Sequence, residues 1–477
     1  MSIDFAKFRE GLPAANACNK ACDKPLAMLI FPPVYDFAFF DLFFKPYGLL
    51  KIGKWLQDGG WDCVFINSLD YKDDFSLTRS LPRSLTKMET PAKHQARPPI
   101  RQSNGTGKIF RQIVKSPFPE NILSVKRSFA RYGICEESLR LKIAARKPDI
   151  ILISTFMTYW YLGVSEVVEI CRQIWPSVPV VAGGIYATLL PQHCKNVTLP
   201  DYVAEGEAWD FLNSFFEKNS LPICNPVGGQ FLMDNAVWED AAVVRLNSGC
   251  PMKCAYCASS RLSSFAVGDY KTVFDQLVYL NKKYGTVNFA FYDDALLFKK
   301  EKAFLPLLEK IISSNIKFNF YVPNALHIDY LDSETVSMMK KAGFKEIRLG
   351  FESSDPGFHQ RNGKKYDADA FPAVMETLKT NGFYGDNVII YMLAGLPGQY
   401  ADEAKESVRY LKKFDVRISI SEYSPVPGSY LWDESVKKSI YPLAENPLYH
   451  NNSIFPMAWE KFSYKDMQEL KTFARGK

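Results

Sequence analysis

From residue 243 to 421, short apolar runs alternate with stretches of helical spacing, and this alternation constrains the fold more than any other feature. The apolar runs cover residues 243–246, 287–292, 318–322, 346–351, 388–393 and 418–421. Helical patterns at 271–284, 303–313, 333–342, 368–381 and 402–414 separate them. Six strand–helix units of about 30 to 45 residues predict a partial, six-stranded version of the TIM-like (β/α) barrel. In such barrels the residues just past the carboxyl ends of the strands form the active face.

The first of those ends carries Cys250-Pro-Met-Lys-Cys254-Ala-Tyr-Cys257, a C-x3-C-x2-C spacing. Three thiols within eight residues are too close for routine disulfides and one short of a closed zinc site. Iron–sulfur clusters are held by thiolates, commonly four. Three leave one iron of a 4Fe-4S cluster open to a substrate. The alternatives are a redox pair, Cys254 with Cys257, or part of a zinc site with a remote fourth ligand. No His or Cys lies within about thirty positions downstream, which weighs against zinc.

The front half reads differently. An apolar strand at 26–31 stops at Pro32-Pro33, a helix at 46–57 ends at Gly59-Gly60, and a second strand covers 61–66. Further on come a strand at 149–154, a helix at 164–175, a strand at 178–182 running into Gly183-Gly184, and a short strand at 202–204. Strands alternating with helices predict an open parallel sheet of the flavodoxin-like (Rossmann-like) kind, with ligands at the carboxyl ends of its strands. The expected organisation is a front domain over 1–220, a Pro/Gly-rich linker over 221–240, a catalytic core over 241–434 and an extension over 435–477.

Charge is uneven. Residues 71–147 hold 17 Lys and Arg against six Asp and Glu, a local +11 in a chain of net +6. Such a block reads as a solvated surface or a phosphate contact. Within it, Ser103-Asn-Gly-Thr-Gly107-Lys108 fails the phosphate-loop pattern, because Ile109 follows the lysine. Ten scattered cysteines fit a reducing compartment. Residues 1–24 have no signal-peptide core, and the longest apolar stretch, 150–164, is too short to span a bilayer. A cytoplasmic protein without a membrane span is the expectation.

In sequence order, further residues carry a resemblance. Tyr256 precedes Cys257, Asp293-Asp294 follow the second barrel strand, Tyr321-Val-Pro-Asn324 the third, and Gly350-Phe-Glu352-Ser353 close the fourth. Gly395-Leu-Pro-Gly398-Gln399 follow the fifth and Tyr423-Ser-Pro-Val-Pro-Gly428 the sixth. Together with the Cys loop they resemble the radical SAM catalytic core. The resemblance implies a 4Fe-4S cluster on Cys250, Cys254 and Cys257. It also implies S-adenosylmethionine near Tyr256, Asp293, Asp294, Asn324, Glu352, Gly395 and Gly398. The front domain, with Gly183-Gly184 after its fourth strand and Glu205-Gly206-Glu207 after its fifth, resembles the cobalamin-binding domain that precedes many such cores. There the glycine pair lies near the nucleotide tail of the cofactor. Many members carry D-x-H-x-x-G after the first strand, its His being the lower cobalt ligand; here residues 34–41 contain no His. His193 is a conceivable stand-in.

The implied activity is reductive cleavage of S-adenosylmethionine to a 5′-deoxyadenosyl radical that abstracts hydrogen from substrate. When cobalamin is present, methyl transfer to an unreactive carbon is the typical outcome. The alternatives are a cobalamin-independent rearrangement, cyclisation or oxidation, and a non-enzymatic metal-binding or redox protein. Implied partners are a small-molecule or peptide substrate and an electron donor such as flavodoxin or ferredoxin. The tail carries no nucleic-acid module, which argues against an RNA-modifying role.

Overall fold

The computed structural model describes residues 24–73, 99–119, 125, 127–224, 232–234, 236–363 and 366–476. The leader reading of 1–23 and the Pro226, Gly228 and Gly229 part of the linker lie outside them.

Five strands, β1 (Leu26–Phe31), β2 (Asp62–Asn67), β3 (Ile150–Thr155), β4 (Val180–Gly184) and β5 (Tyr202–Ala204), form a parallel sheet in the order β5-β4-β3-β1-β2. This is the flavodoxin-like order, with its switch point between β1 and β3. Every β1 residue is buried because helices cover both faces. Ala27 and Leu29 pack with Leu49 and Leu56 of α1 (Tyr47–Asp58) and Leu212 and Phe216 of α3 (Trp209–Lys218). Met28 and Ile30 pack with Val164, Val167 and Val168 of α2 (Tyr161–Ile174) on the other face. A 3₁₀ turn at Thr158–Trp160 leads directly into α2, so the helix starts before the expected residue 164.

Much of the described basic insertion is solvated, with Lys108, Lys115, Arg127, Arg146 and Lys147 exposed, but two of its arginines turn inward. Its Ala130–Tyr132 strand pairs antiparallel with Val34–Asp36. Arg131 is buried there, its guanidinium held on Glu166 of α2 by Nε and Nη2, the latter at 2.7 Å. Tyr35 donates to the same carboxylate at 2.8 Å. The Ser103–Lys108 segment forms the turn and return strand of a two-stranded hairpin (Ile100–Arg101 with Gly107–Lys108). Arg101 of this hairpin pairs with Asp41 at 2.8 Å and lies over the Tyr71 ring. These charges neutralise partners far away in sequence, which a local charge count cannot register. Replacing one member of a buried pair strands the other, at a cost of about 3–5 kcal/mol. Arg131→Met is therefore expected to lower Tm by about 10 °C, measured by calorimetry, whereas Lys72→Met, at an exposed pair, should change it little.

The second half contains the six expected strands: β6 (Ala242–Val244), β7 (Asn288–Phe291), β8 (Asn319–Tyr321), β9 (Ile347–Glu352), β10 (Gly385–Ala394) and β11 (Val416–Glu422). They form two parallel three-stranded sheets, β6-β7-β8 and β9-β10-β11, bridged by Phe320 with Phe344 and Leu326 with Leu349. Helices α4 (Tyr270–Tyr284), α5 (Phe304–Ser313), α6 (Ser333–Ala342), α7 (Pro356–Asn362), α8 (Phe371–Thr380) and α9 (Ala401–Leu411) lie between strands. The start of α4 is fixed by Asp269, which accepts from the Lys271 and Thr272 amides.

The two halves interlock. The Phe43 ring from the loop after β1 sits 4.6 Å from that of Tyr321. The Tyr292 hydroxyl donates to the Phe43 carbonyl and accepts the Lys45 amide at 2.9 Å. Asn288 at the start of β7 donates to Ser103 of the hairpin. The extension ties the halves a second time. Asn451 donates to Asp36 at 2.9 Å, and His450 Nδ1 lies 2.9 Å from the Thr158 hydroxyl. Burial pushes His450 down to about 4, so it bridges as a neutral ring. The last helix, α10 (Tyr464–Arg475), pairs Lys471 with Glu422 of β11 at 2.6 Å. Among the described residues no helix is long and apolar enough to cross a membrane.

Candidate active site

A cavity of about 730 Å³ lies between the carboxyl ends of the front sheet and the near side of the barrel mouth. Ser154, Thr155, Gly183, Gly184, Ala204 and Gly206 line it from the sheet. Leu49 and Ile52 of α1 with Trp209 and Leu212 of α3 line an apolar part beside these strand ends. Arg245, Ser259, Tyr292, Asp294 and Asn324 line it from the barrel, and Asn452 from the extension.

The floor is bare for a reason. A Cβ on Gly183 would meet only Ala204, at 3.6 Å, so a side chain there would occupy the cavity. Gly184 has φ +109° and its backbone lies against the Thr155 carbonyl, a conformation and a proximity that side-chain-bearing residues do not tolerate. One wall is aromatic: Phe44 meets Phe156 edge-on at 4.6 Å, and Phe156 stacks on Trp160. Asp36 fixes that wall by accepting from Trp160 Nε1 at 2.7 Å, and burial raises its carboxyl pKa against the hydrogen bonds from Asn451 and Trp160. Among the described residues no His lines the cavity. His193, the conceivable stand-in, instead takes a 2.6 Å hydrogen bond with Tyr186.

The Cys loop follows β6 and is held by its neighbours' backbones. The Ala255 amide donates to Asn362 at 2.9 Å, and the Leu431 amide donates to Ala255 at 3.0 Å. Gly363, with φ +88°, lets the end of α7 approach; a Cβ there would lie 3.0 Å from the Lys253 carbonyl. Cys254 is buried and Cys250 and Cys257 are half-buried. The Ser259 amide already points at Cys257 Sγ, 3.4 Å away, and hydrogen bonds to sulfur tune cluster potentials. Burial, reinforced by Asp294 and the other two thiols, pushes Cys250 up to about 11, so it stays a thiol until a metal displaces the proton. Among the described residues no three His, Cys, Asp or Glu side chains converge on one ion. A single zinc requires its sulfurs about 3.8 Å apart, whereas a cluster spreads its thiolates over separate irons. Three thiols on one loop match the donor set of a 4Fe-4S cluster with one iron left open.

The other expected residues divide. Asp293 is buried and accepts the Leu246 and Asn247 amides, so it braces the end of β6 instead of facing the cavity; burial pushes it up to about 7. Asp294 does face the cavity, 3.7 Å from Arg245. Asn324 lines it too and donates to the Tyr292 carbonyl at 3.0 Å. Tyr256 packs 6.2 Å from Phe358, away from the cavity. Glu352 is buried at a register shift in β9 with φ +66°. A non-glycine residue held there costs about 1–3 kcal/mol, and such strain clusters at functional sites. Gly395 packs against the Phe455 ring of the extension, and Gly398 lies beside Lys438. The cavity thus brings together Gly183, Gly184, Asp294 and Asn324; the Cys triad, Tyr256, Asp293, Glu352, Gly395 and Gly398 are not among its lining residues. Sequence reasoning missed Lys45 and Arg245, which also line it. Only the D-x-H-x-x-G spacing offered a signal for the first.

Residues 244–411 match the family model described as the Radical SAM superfamily, and residues 125–214 match the B12 binding domain. The chain carries a Radical SAM domain and a B12-binding domain. No curated protein matches it by sequence. Among solved structures, this chain resembles the radical S-adenosylmethionine methyltransferase TsrM from Kitasatospora setae, solved with tryptophan substrate and a SAM analogue. The TM-score is 0.64 at 13% identity, covering 94% of this chain and 89% of that one. It also resembles the cobalamin-dependent S-adenosylmethionine radical enzyme OxsB, solved with aqua-cobalamin and S-adenosylmethionine. That TM-score is 0.53 at 11% identity, over 87% of this chain and 55% of that one. At these identities the likeness is one of fold, and it extends across both halves. The radical SAM domain implies a 4Fe-4S cluster and S-adenosylmethionine, and the B12-binding domain implies cobalamin.

Proposed function

We propose that this enzyme is a cobalamin-dependent radical SAM methyltransferase acting on a small or peptide-like substrate. The observation that carries the reading is the single cavity running from the carboxyl ends of the B12-type sheet to Ser259, Asp294 and Asn324 at the barrel mouth. A methyl carrier on one side and S-adenosylmethionine on the other have reason to share one space. The cofactors supply one-electron chemistry and methyl transfer; the chain supplies binding, orientation and exclusion of water.

Cys250, Cys254 and Cys257 hold the cluster in this reading. Asp294 pairs with the methionyl ammonium, a charge-assisted contact, while Asp293 keeps the strand end in place for it. Asn324 and Glu352 bind the ribose and carboxylate, Tyr256 packs by the adenine, and Gly395 and Gly398 shape the turn beside it. Gly183 and Gly184 leave room for the cobalamin tail. The aromatic wall of Phe44, Phe156 and Trp160 excludes water from the ring. An external donor of the flavodoxin or ferredoxin kind delivers electrons. Among the described residues no His lines the cavity, which favours a second reading in which the front domain holds substrate and no corrin.

The deciding experiment is anaerobic purification, reconstitution with iron, sulfide and hydroxocobalamin, and incubation with S-adenosylmethionine and a strong reductant. Iron, acid-labile sulfide and one corrin per chain are expected, with 5′-deoxyadenosine, or methyl transfer to the bound corrin, as product. An iron–sulfur protein without corrin moves the assignment to the second reading. A colourless zinc protein overturns both.

A further inference from the structure

The cavity and the Cys loop meet at one side chain. The three thiols are not among the lining residues, but Ser259, two positions past Cys257, is. Its amide donates to Cys257 Sγ at 3.4 Å, and its hydroxyl oxygen lies 3.3 Å from the same sulfur. A single helical turn, Ser259–Leu262, fixes this backbone, with the Leu262 amide on the Ala258 carbonyl at 3.2 Å. On its other side stands Asp294, which also lines the cavity. Burial raises the Asp294 carboxyl pKa, while Arg245 and a hydrogen bond from the Ser259 side chain pull it back. Ser259 therefore touches a proposed cluster ligand and the proposed partner of the methionyl ammonium at once.

A hydroxyl has one hydrogen to donate and two lone pairs to accept with. As a thiol, Cys257 donates to the Ser259 oxygen, which leaves the hydroxyl hydrogen for Asp294. As a thiolate ligand, Cys257 becomes a second acceptor competing for that hydrogen. Asp294 wins while its charge is weakly opposed, because Arg245 stays 3.7 Å away, beyond hydrogen-bond reach. We propose that Ser259 couples S-adenosylmethionine binding at Asp294 to the reducibility of the cluster, by turning its hydroxyl from Asp294 onto the Cys257 thiolate. The inference rests on the reading that the Cys triad holds the cluster and Asp294 takes the methionyl ammonium. Once the ammonium neutralises Asp294, the carboxylate loses its hold, and the thiolate gains a second donor beside the Ser259 amide. Reduction adds one electron from the external donor, and with it one negative charge on the cluster. A hydrogen bond to a ligand sulfur stabilises that added charge and raises the potential. The cluster becomes easier to reduce when S-adenosylmethionine is in place to receive the electron.

The test uses the full chain reconstituted with iron and sulfide, as wild type, Ser259→Ala, Ser259→Thr and Asp294→Asn. Each is titrated with titanium(III) citrate, and the reduced cluster is read by electron paramagnetic resonance. The probe is the aza analogue of S-adenosylmethionine, which keeps the ammonium and has no sulfonium to cleave; its binding is measured by equilibrium dialysis. In the wild type, bound analogue is expected to raise the ratio of reduced to oxidised cluster at fixed potential about tenfold, about 59 mV for one electron. Ser259→Ala keeps the amide and loses this rise, and Ser259→Thr restores it. Asp294→Asn, which leaves the Cys loop untouched and serves should Ser259→Ala load poorly, starts at the raised ratio without analogue. A full rise in Ser259→Ala, or an unaltered starting ratio in Asp294→Asn, overturns the proposal. A Ser259→Ala ratio lowered equally with and without analogue makes the hydroxyl a permanent donor and overturns the switch. A wild type that shows no cluster signal, or binds no analogue, sinks the underlying reading instead, and each failure is visible before any potential is compared.

Discussion

Replacing Cys250, Cys254 and Cys257 together by Ala is expected to reduce iron and sulfide to background, abolish the absorbance near 400 nm and eliminate turnover of S-adenosylmethionine. The protein should still fold. The loop is held by backbone hydrogen bonds, one donated by the Ala255 amide to Asn362 and one accepted by Ala255 from Leu431, which do not depend on the thiols, and the two larger cores do not include Cys250 or Cys257. Corrin binding should change less than about threefold, because no residue of the triad lines the cavity. That combination, cluster lost and corrin retained, separates a cluster loop from a structural one. A triple variant that keeps its iron overturns the assignment of the ligands. A variant that loses both cofactors together with its circular dichroism has simply unfolded, and the single substitution Cys257→Ser then serves as the milder probe.

The large features of the fold were legible because they are periodic. Six apolar runs at the right spacing mark β6 to β11, and the Gly183-Gly184 pair marks the end of β4. The Cys loop stood out by its spacing, and the structure places it after β6, at the expected strand end. What the sequence concealed is what distant segments do to one another. Asn451 reaches Asp36 across 415 positions, and no local pattern announces that pairing. Within the largely exposed basic insertion, Arg131 and Arg101 could not be told from the surface charges, because their partners Glu166 and Asp41 lie far along the chain. Asp293 and Asp294 are adjacent and looked equivalent. Only the close approach of the Leu246 and Asn247 amides separates a bracing carboxylate from a cavity-facing one. The backbone strain at Glu352 is likewise a tertiary property, set by the register shift between β9 and β10.

The cavity itself predicts the second large effect. Gly183→Leu is expected to weaken cobalamin binding at least about a hundredfold, about 2.7 kcal/mol, without losing the cluster. Gly183 does not need a left-handed backbone, and a Cβ there meets only Ala204 at 3.6 Å, so the substitution introduces little strain in the sheet. Its remaining carbons have nowhere to go but the cavity, beside Leu49, Ile52 and Leu212. There they would bury apolar surface favourably and displace whatever otherwise fills that space. Stability should therefore hold or rise slightly, while corrin content after reconstitution falls to near background and iron content stays at the wild-type level. Gly184→Leu makes the contrast: at φ +109° and pressed against the Thr155 carbonyl, it should lower Tm by several degrees as well. Equal corrin binding in Gly183→Leu and wild type, measured by equilibrium dialysis, would place the corrin outside this cavity. The methyl carrier and the radical SAM core would then no longer share one chamber.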